Sequence, residues 1–346
     1  LNPKREINCY TIKTESMEGF TDDLFYAKKV AEHLNVNLKI IEAKSDILEY
    51  FDKVIYHLDE PQADPAPINV YNICKQARKD GLKVLIGGTA GDDLFSGYRR
   101  HQALKFESSI EKIPIFLRKL VKNSFKIFNS KNSLIRRVKK LTANFEKTKE
   151  ERMMGYFSWI DQDILKDLFL DPNNYDCFTY FKYLNKSIKD EPSELNRMLF
   201  WEINTFLSDH NLNYTDKLSM ASGVEVRVPF LDIELVEFST KIPPQYKLKG
   251  NETKYLLKKV AEKYLPKEVI YRPKTGFGAP VREWILNDMD YLITDYLSEE
   301  SINNRGIFNY KKVLELIEDN RNGTIDASYP IWSLLAIESW MRQFND

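Results

Sequence analysis

The chain has few cysteines, no long apolar run and no excess of charge of either sign. Its three cysteines, Cys9, Cys74 and Cys177, lie far apart without metal-site spacing, which predicts reduced thiols in a cytoplasmic protein. No apolar run reaches the roughly 18 residues of a membrane span, and no signal peptide is recognisable. Lys and Arg together number 51, and Asp and Glu together also number 51, so the chain has no net positive charge that would favour a nucleic-acid partner.

Two further absences concern nucleotide binding and the start of the chain. No Gly-x-Gly-x-x-Gly follows a strand-like run, which excludes a dehydrogenase-like dinucleotide binder. The chain begins at Leu1 rather than Met, in a segment typical of the loop after a helix. We therefore expect further residues upstream. At 346 residues the chain predicts two domains, or one large domain with additions.

The first hundred residues alternate strand-like and helix-like segments. Strand-like runs occupy 7–13, 37–42 and 83–86, and helical patterns occupy 21–34, 45–58 and 67–80. This alternation predicts a parallel sheet with crossover helices, whose ligands bind beyond the carboxyl ends of the strands. We expect the loops after Ile12, Glu42 and Ile86 to line one crevice, and the run 83–86 to be a buried strand.

The stretch 83–98, KVLIGGTAGDDLFSGY, carries the strongest chemical signal. Three glycines in five residues let a backbone approach a ligand closely, and free N–H groups at a helix start attract anions. Asp92 and Asp93 follow at once. Amide donors beside acids indicate a cation between the acids and an anion, as in a Mg²⁺ nucleotide. The structural alternative is a strand, a glycine turn and an aspartate helix cap.

Beyond residue 98 the patterns are mainly helical. Between Arg99 and Lys149 there are fifteen Lys or Arg and three Glu, which we interpret as solvated helix faces. The alternative is a basic surface that meets an anionic carrier or lipid headgroups. Glu225 and Arg227 stand among apolar residues and predict a buried ion pair or a hydrogen-bonded anchor, with an architectural role.

Four blocks together resemble the synthetase domain of the glutamine-dependent asparagine synthetase family. They are 59–65 (DEPQADP), 87–98 (GGTAGDDLFSGY), 216–232 (with SMA, EVR and PFLD) and 274–280 (KTGFGAP). The resemblance implies an α/β fold with a parallel sheet of the adenine-nucleotide alpha-hydrolase-like (ATP-pyrophosphatase) type, incomplete at its N-terminus and followed by a largely helical region. It divides the chain into a partial nucleotide-binding core, 1–98, lacking its first strand and phosphate loop, and a helical part, 99–346, contributing loops 209–232 and 271–280.

The reaction that the resemblance implies is ATP-dependent amide formation. The substrate carboxylate attacks the α-phosphorus of ATP, and ammonia then displaces AMP from the acyl-adenylate. The implied catalytic residues are Lys274, Asp92 and Asp93, with Asp92 as the Mg²⁺ ligand.

The resemblance also implies binding residues and partners. The implied nucleotide-pocket residues are Ile12, Gly87 and Gly88, and the substrate-side residues are Thr89, Asp209, Tyr214 and Asp216. The implied partners are ATP, Mg²⁺, a carboxylic acid, with aspartate as the family default, and ammonia from a glutaminase domain. A homodimer is a candidate assembly.

Departures from the family pattern modify these expectations. The family's Ser-Gly-Gly-x-Asp-Ser phosphate loop and its glutaminase domain do not occur in these 346 residues, so we expect the fragment alone to be inactive. Thr89 replaces a family Glu, Asp93 a longer Glu, and Tyr214 a frequent basic residue. These changes lie on the acceptor side and leave a sugar uronate of polysaccharide synthesis open as the substrate. A non-catalytic nucleotide-binding remnant is the alternative of another class.

Overall fold

The computed structural model describes residues 7–13, 23–42, 47–126, 128, 130, 132–172, 176–273 and 279–345. The four strands in these ranges are β1 Asn8–Lys13, β2 Asn37–Glu42, β3 Val84–Ile86 and β4 Glu225–Arg227. The helices up to residue 202 are α1 Asp23–Leu34, α2 Ile47–Leu58, α3 Ala66–Lys79, α4 Gly91–Phe95, α5 Arg99–Ala103, α6 Glu107–Glu111, α7 Ile115–Lys126, α8 Ser133–Thr142, α9 Lys149–Gly155, α10 Gln162–Leu168, α11 Thr179–Ser187 and α12 Glu194–Glu202.

The remaining helices are α13 Asn213–Ala221, α14 Ile233–Lys241, α15 Pro244–Lys247, α16 Tyr255–Ala261, α17 Lys267–Ile270, α18 Val281–Glu283, α19 Asp290–Tyr296, α20 Glu299–Arg305, α21 Tyr310–Asn322 and α22 Ser328–Phe344. Two π-helical segments, Ile203–Leu212 and Trp284–Asp288, continue α12 and α18. The chain is thus a helix-rich α/β protein with small parallel sheets. None of its helices, over the described ranges, has the length and apolar composition needed to cross a bilayer.

The chain forms two compact units. The first contains 1–59, 65–97 and 203–280, and the second contains 60–64, 98–202 and 281–346. The predicted boundary after residue 98 lies next to the boundary at 97, and residues 203–280 group with the first unit. The functional division into a nucleotide-binding core and a helical part stays a prediction.

The strands of the first unit pair differently from the prediction. β1 pairs in parallel with β2, and β3 pairs in parallel with β4, so the described residues hold two two-stranded sheets rather than one. The predicted positions of β1, β2 and β3 are confirmed. The prediction that they form one sheet was wrong for the described residues. The alternation of apolar and polar residues along a strand does not show which distant strand it pairs with.

One face of the β3–β4 sheet is open to solvent. The register sets Val84 opposite Glu225 and Ile86 opposite Arg227, so these four side chains share a face. Ile86 is 77% exposed, and the Glu225 and Arg227 side chains are more than half exposed. Arg227 Nε donates to Glu225 Oε1 at 2.8 Å, so the ion pair was predicted correctly. The predicted burial of the pair and of the strand was wrong.

Each unit has its own apolar core. In the first unit a cluster of Ala90, Leu94, Phe95, Leu207 and Ile242 joins α4, the first π-helical segment and the end of α14. In the second unit the cluster comprises Met153, Met154, Tyr156, Phe178, Leu184, Met198 and Trp201. The first cluster matters for function because it fixes α4, which carries two of the predicted site residues.

Candidate functional site

The turn after β3 presents backbone rather than side chains. The Gly87 N–H donates to the Arg227 carbonyl oxygen at 2.8 Å, which ties the turn to β4. A Cβ placed on Gly88 would meet no atom within 4 Å. The N–H groups of Gly88, Thr89 and Ala90 have no acceptor among the residues that the structure describes. Successive unpaired amides beside open space are a suitable site for an anion.

The short helix α4 begins and ends in strained backbone. Ala90 has φ 73° and Ser96 has φ 63°, both in the left-handed region that non-glycine residues rarely adopt. Both residues are buried, and the Ser96 Oγ has no hydrogen-bond partner within the described part of the chain. Backbone strain of this kind persists where the packing around the residue holds it in place, and such positions are frequent at binding sites.

Asp92 lies in the first turn of α4 against the α-carbon of Gly97. A Cβ on Gly97 would lie 1.6 Å from Asp92 Oδ1 and 2.8 Å from the Asp92 Cα, so only glycine fits. The Gly97 N–H also donates to the Asp92 carbonyl oxygen at 2.8 Å. The Asp92 side chain is about one quarter exposed, whereas its Oδ1 atom is buried.

Lys254 is the ion-pair partner of Asp92, and the sequence reasoning missed it. Its Nζ lies 3.0 Å from Asp92 Oδ1. Lys254 precedes α16 with φ 53°, at a helix start where the dipole disfavours a cation. No local pattern in the sequence singled out Lys254, because its position at a helix start is known only from the fold. One turn further, burial lowers the pKa of Lys258, and the neighbouring Lys254 lowers it further, against the opposing effect of Glu252.

Asp93 and Thr89 flank the same turn. Asp93 is only 1% exposed and points away from solvent, whereas Thr89 is half-buried within the turn. The roles expected for them, catalysis for Asp93 and acceptor contact for Thr89, stay predictions.

Asp209 lies on the first π-helical segment. Leu207 of that segment belongs to the cluster that also holds Leu94 and Phe95 of α4. Asp209 itself is exposed and accepts a hydrogen bond from Ser208 Oγ at 2.6 Å. The apolar cluster therefore packs the Asp209 segment against the helix of Asp92. π-helical turns inside helices often mark functional sites.

Tyr214 and Asp216 lie on the next helix, α13, which packs on α2, α3 and β4. Tyr214 is buried, with its hydroxyl 3.4 Å from Asn211 Oδ1, and Asp216 is exposed. The adjacent Lys217 forms an ion pair with Asp59 of the acid- and proline-rich motif. Among the described contacts, α13 packs against β4, and β4 in turn pairs with the strand that precedes the glycine turn.

Two predicted residues remain apart from this group. Ile12 lies near the end of β1, opposite Ile41, in the other sheet of the unit. Lys274 lies outside the described residues, so its role stays a prediction. The residues before it are anchored: Arg272 pairs with Asp23 of α1, and the Tyr271 hydroxyl accepts a hydrogen bond from Lys259 at 3.0 Å.

The donors present limit how a Mg²⁺ ion could bind. Among the described residues there is no group of three or more His, Cys, Asp or Glu side chains able to hold a metal. Asp92 supplies one partly exposed carboxylate, whose charge Lys254 compensates. One carboxylate fits a Mg²⁺ that takes most of its ligands from phosphates and water, as is usual for this ion, and does not fit a protein-only cage.

These features define a helix-rich α/β protein with an amide-rich turn and an acid–lysine pair at the carboxyl end of a parallel strand. Comparison with protein families matches residues 2–342 to asparagine synthase. The chain belongs to the asparagine synthase family, which confirms the resemblance derived from the four blocks.

Individual relatives agree with this assignment. Asparagine synthetase (glutamine-hydrolyzing) 1 of Bacillus subtilis is 29% identical over 327 residues, 93% of this chain and 50% of that protein. Asparagine synthetase (glutamine-hydrolyzing) 3 of the same species is 22% identical over 79% of this chain and 40% of that protein. Amidase chyE of Penicillium rubens is 22% identical over 90% of this chain and 49% of that protein. The chain spans about half the length, or less, of these relatives.

Proposed function

We propose that the protein forms an amide from a carboxylic acid in an ATP-dependent reaction that passes through an acyl-adenylate. The observation that carries the proposal is the Asp92–Lys254 ion pair at the end of an amide-lined, open turn. Family membership supports the same chemistry. The fold type that accompanies it is the ATP-pyrophosphatase type, with ATP bound beyond the carboxyl end of β3.

The first step joins the acid to the nucleotide. A carboxylate oxygen of the substrate attacks the α-phosphorus of ATP, a P–O bond forms, and pyrophosphate leaves. The N–H groups of Gly88 and Thr89 can donate to phosphate oxygens because they have no acceptor among the described residues. Lys254 supplies positive charge beside them. Asp92 would hold Mg²⁺, which when bound screens the phosphate charges.

The second step transfers nitrogen. Ammonia, free or released from glutamine, attacks the acyl carbon, and AMP leaves with the electron pair of the broken C–O bond. One proton of the nitrogen must be accepted, and Asp93 and Asp209 are the candidate carboxylates. Lys274 keeps its proposed role of stabilising charge on the transferred phosphate.

Aspartate is the proposed acceptor, with a sugar uronate as the second candidate. The uronate is favoured by Thr89, which replaces a carboxylate that the family carries beside the reacting group. A threonine offers neutral hydrogen bonds rather than a charge, which suits a larger polar acceptor. Tyr214, Asp216 and Asp209 complete the proposed acceptor side.

The test uses the full-length protein with ATP, Mg²⁺, ammonia and a panel of acids including aspartate and a nucleotide-linked uronate. We expect pyrophosphate release and amide formation with one acid, and loss of both in Asp92→Asn. Glutamine in place of ammonia tests the nitrogen donor. Lys274→Ala should keep ATP binding and lose adenylation. If no acid releases pyrophosphate while ATP still binds, the protein is a nucleotide-binding remnant and the proposal fails.

A further inference from the structure

Helix α7 exposes several apolar side chains and buries two of its cations, Arg118 and Lys122. Phe116 is 63% exposed and Leu120 58%, whereas Arg118 is 9% and Lys122 8% exposed. Ile115 at 57% and Leu117 at 40% are exposed as well. This is the reverse of an ordinary surface helix, whose apolar stripe faces the core.

The orientation of α7 is held by its buried cations. Arg118 donates from Nε to the Ile113 carbonyl at 2.6 Å and from Nη2 to the Glu111 carbonyl at 2.9 Å. Lys122 Nζ donates to Glu146 Oε1 at 2.7 Å and to Asp163 Oδ2 at 3.4 Å. Rotating the helix to bury Phe116 would break these bonds and leave charges unpaired, which is costly.

The exposed face is contiguous. At 100° per residue, Phe116, Lys119 and Leu120 lie within a sector of about 100°, on the side opposite Arg118 and Lys122. Single exposed apolar residues are common, but several together on one helix face mark an interaction site.

The stretch of chain that contains this face is rich in basic residues. From Lys112 to Phe145 the sequence contains ten Lys or Arg and no Asp or Glu. Lys112 and Lys119 are exposed. A second copy of the chain would bring like charges against this segment, which disfavours a symmetric contact. An anionic lipid surface offers both negative headgroups and an apolar layer beneath them.

We propose that the outer face of α7 docks on anionic lipid membranes, with Phe116 and Leu120 entering the headgroup region and Lys119 contacting the headgroups. This inference is independent of the proposed reaction, because it concerns the second unit alone. The helix lies in the interface and does not cross the bilayer.

The test is sedimentation of the full-length protein with vesicles. We expect binding to vesicles of phosphatidylcholine with an equal amount of phosphatidylglycerol, weaker binding to phosphatidylcholine alone, and release by high salt. Leu120→Ser and Phe116→Ser should each weaken binding by about tenfold or more. Lys119→Gln should weaken it by about fivefold.

Matched variants separate docking from general surface effects. Leu286→Ser removes a leucine that is 50% exposed elsewhere in the second unit, and Lys189→Gln removes an exposed lysine there. Both should bind vesicles as the unaltered protein does. The proposal is overturned if the anionic vesicles do not bind the protein, or if Leu286→Ser weakens binding as much as Leu120→Ser. It is also overturned if sedimentation equilibrium shows a dimer that Leu120→Ser dissociates.

Discussion

Lys254 Nζ lies 3.0 Å from Asp92 Oδ1 and joins the starts of two short helices, α16 and α4. Both residues lie at helix N-termini, where the helix dipole favours the negative charge of Asp92 and disfavours the positive charge of Lys254. The pair therefore keeps a cation beside the open glycine turn. An isolated partly exposed ion pair contributes little stability, so we infer for this pair the role in ligand binding proposed above.

Removing the lysine charge should damage the reaction more than the fold. We expect Lys254→Met to lower kcat/KM for pyrophosphate release by about a hundredfold or more, because a cation near the phosphates is lost. Lys263→Met, at an exposed lysine on the same unit, is the control. The double variant Asp92→Asn with Lys254→Met should lose less than the sum of the two single losses. Additive losses would show that the residues act separately.

Gly88 and Gly97, which lie before and after α4, should respond differently to substitution by alanine. Gly88→Ala places a Cβ in open space, so the free energy of unfolding should change by no more than about 0.5 kcal/mol while ATP binding weakens. Gly97→Ala places a Cβ within 3 Å of three Asp92 atoms, so it should lose about 1–3 kcal/mol of stability as well as activity. Urea unfolding and ATP titration measure the two effects. Unchanged ATP affinity in Gly88→Ala would contradict a ligand above that turn.

Ser96 should be a destabilising residue. Its left-handed backbone and its buried hydroxyl, unpaired among the described residues, each carry a cost. Ser96→Gly relieves both and should raise the free energy of unfolding by about 1–2 kcal/mol. Ser96→Ala removes only the hydroxyl and should give about half of that gain. The urea concentrations at the unfolding midpoints, compared at equal denaturant slopes, measure the difference in stability. A loss of stability in Ser96→Gly would show that the hydroxyl has a required partner.

Lys247 should make stability rise with pH. It is 4% exposed, and burial lowers its pKa from 10.5 to about 8. Between these values the unfolded chain binds the proton more tightly than the folded protein, so the free energy of unfolding increases as pH rises from about 8 to 10.5. Below pH 8 the buried charge costs roughly 3 kcal/mol, which corresponds to the shift of the pKa from 10.5 to about 8.

Lys247→Met should therefore stabilise the protein at pH 7 and lose this rise. Unfolding measured at pH 7, 9 and 10.5 for both proteins isolates the contribution of Lys247 from that of other lysines. Equal pH profiles would contradict the burial of its charge.

Local patterns predicted local features well. The strand Asn37–Glu42 and the helices up to Lys79 lie within two residues of their predicted bounds, because hydrophobic periodicity and helix-end residues act over a few positions. The ion pair between Glu225 and Arg227 was also predictable, since the two residues share one face of a strand. Its exposure was not, because burial depends on what covers that face.

Long-range relations were harder to predict. Asp92 and Lys254 are 162 positions apart, and no periodicity connects them. The reversed orientation of α7 was hidden for a similar reason: it depends on the backbone carbonyls that hold Arg118 and on the acids that hold Lys122. The segment of Asp209 is linked to the glycine turn through Leu207, which shares an apolar cluster with Ala90.

The order of residues alone determined the family, the chemical types grouped after the third strand, and the strands and helices themselves, since these depend on neighbours in the chain. Only the folded molecule decided which lysine neutralises Asp92, how the strands divide into two sheets, and which side of α7 meets the solvent. These outcomes depend on contacts between distant segments, whose free energies arise from burial and charge pairing that no local stretch contains.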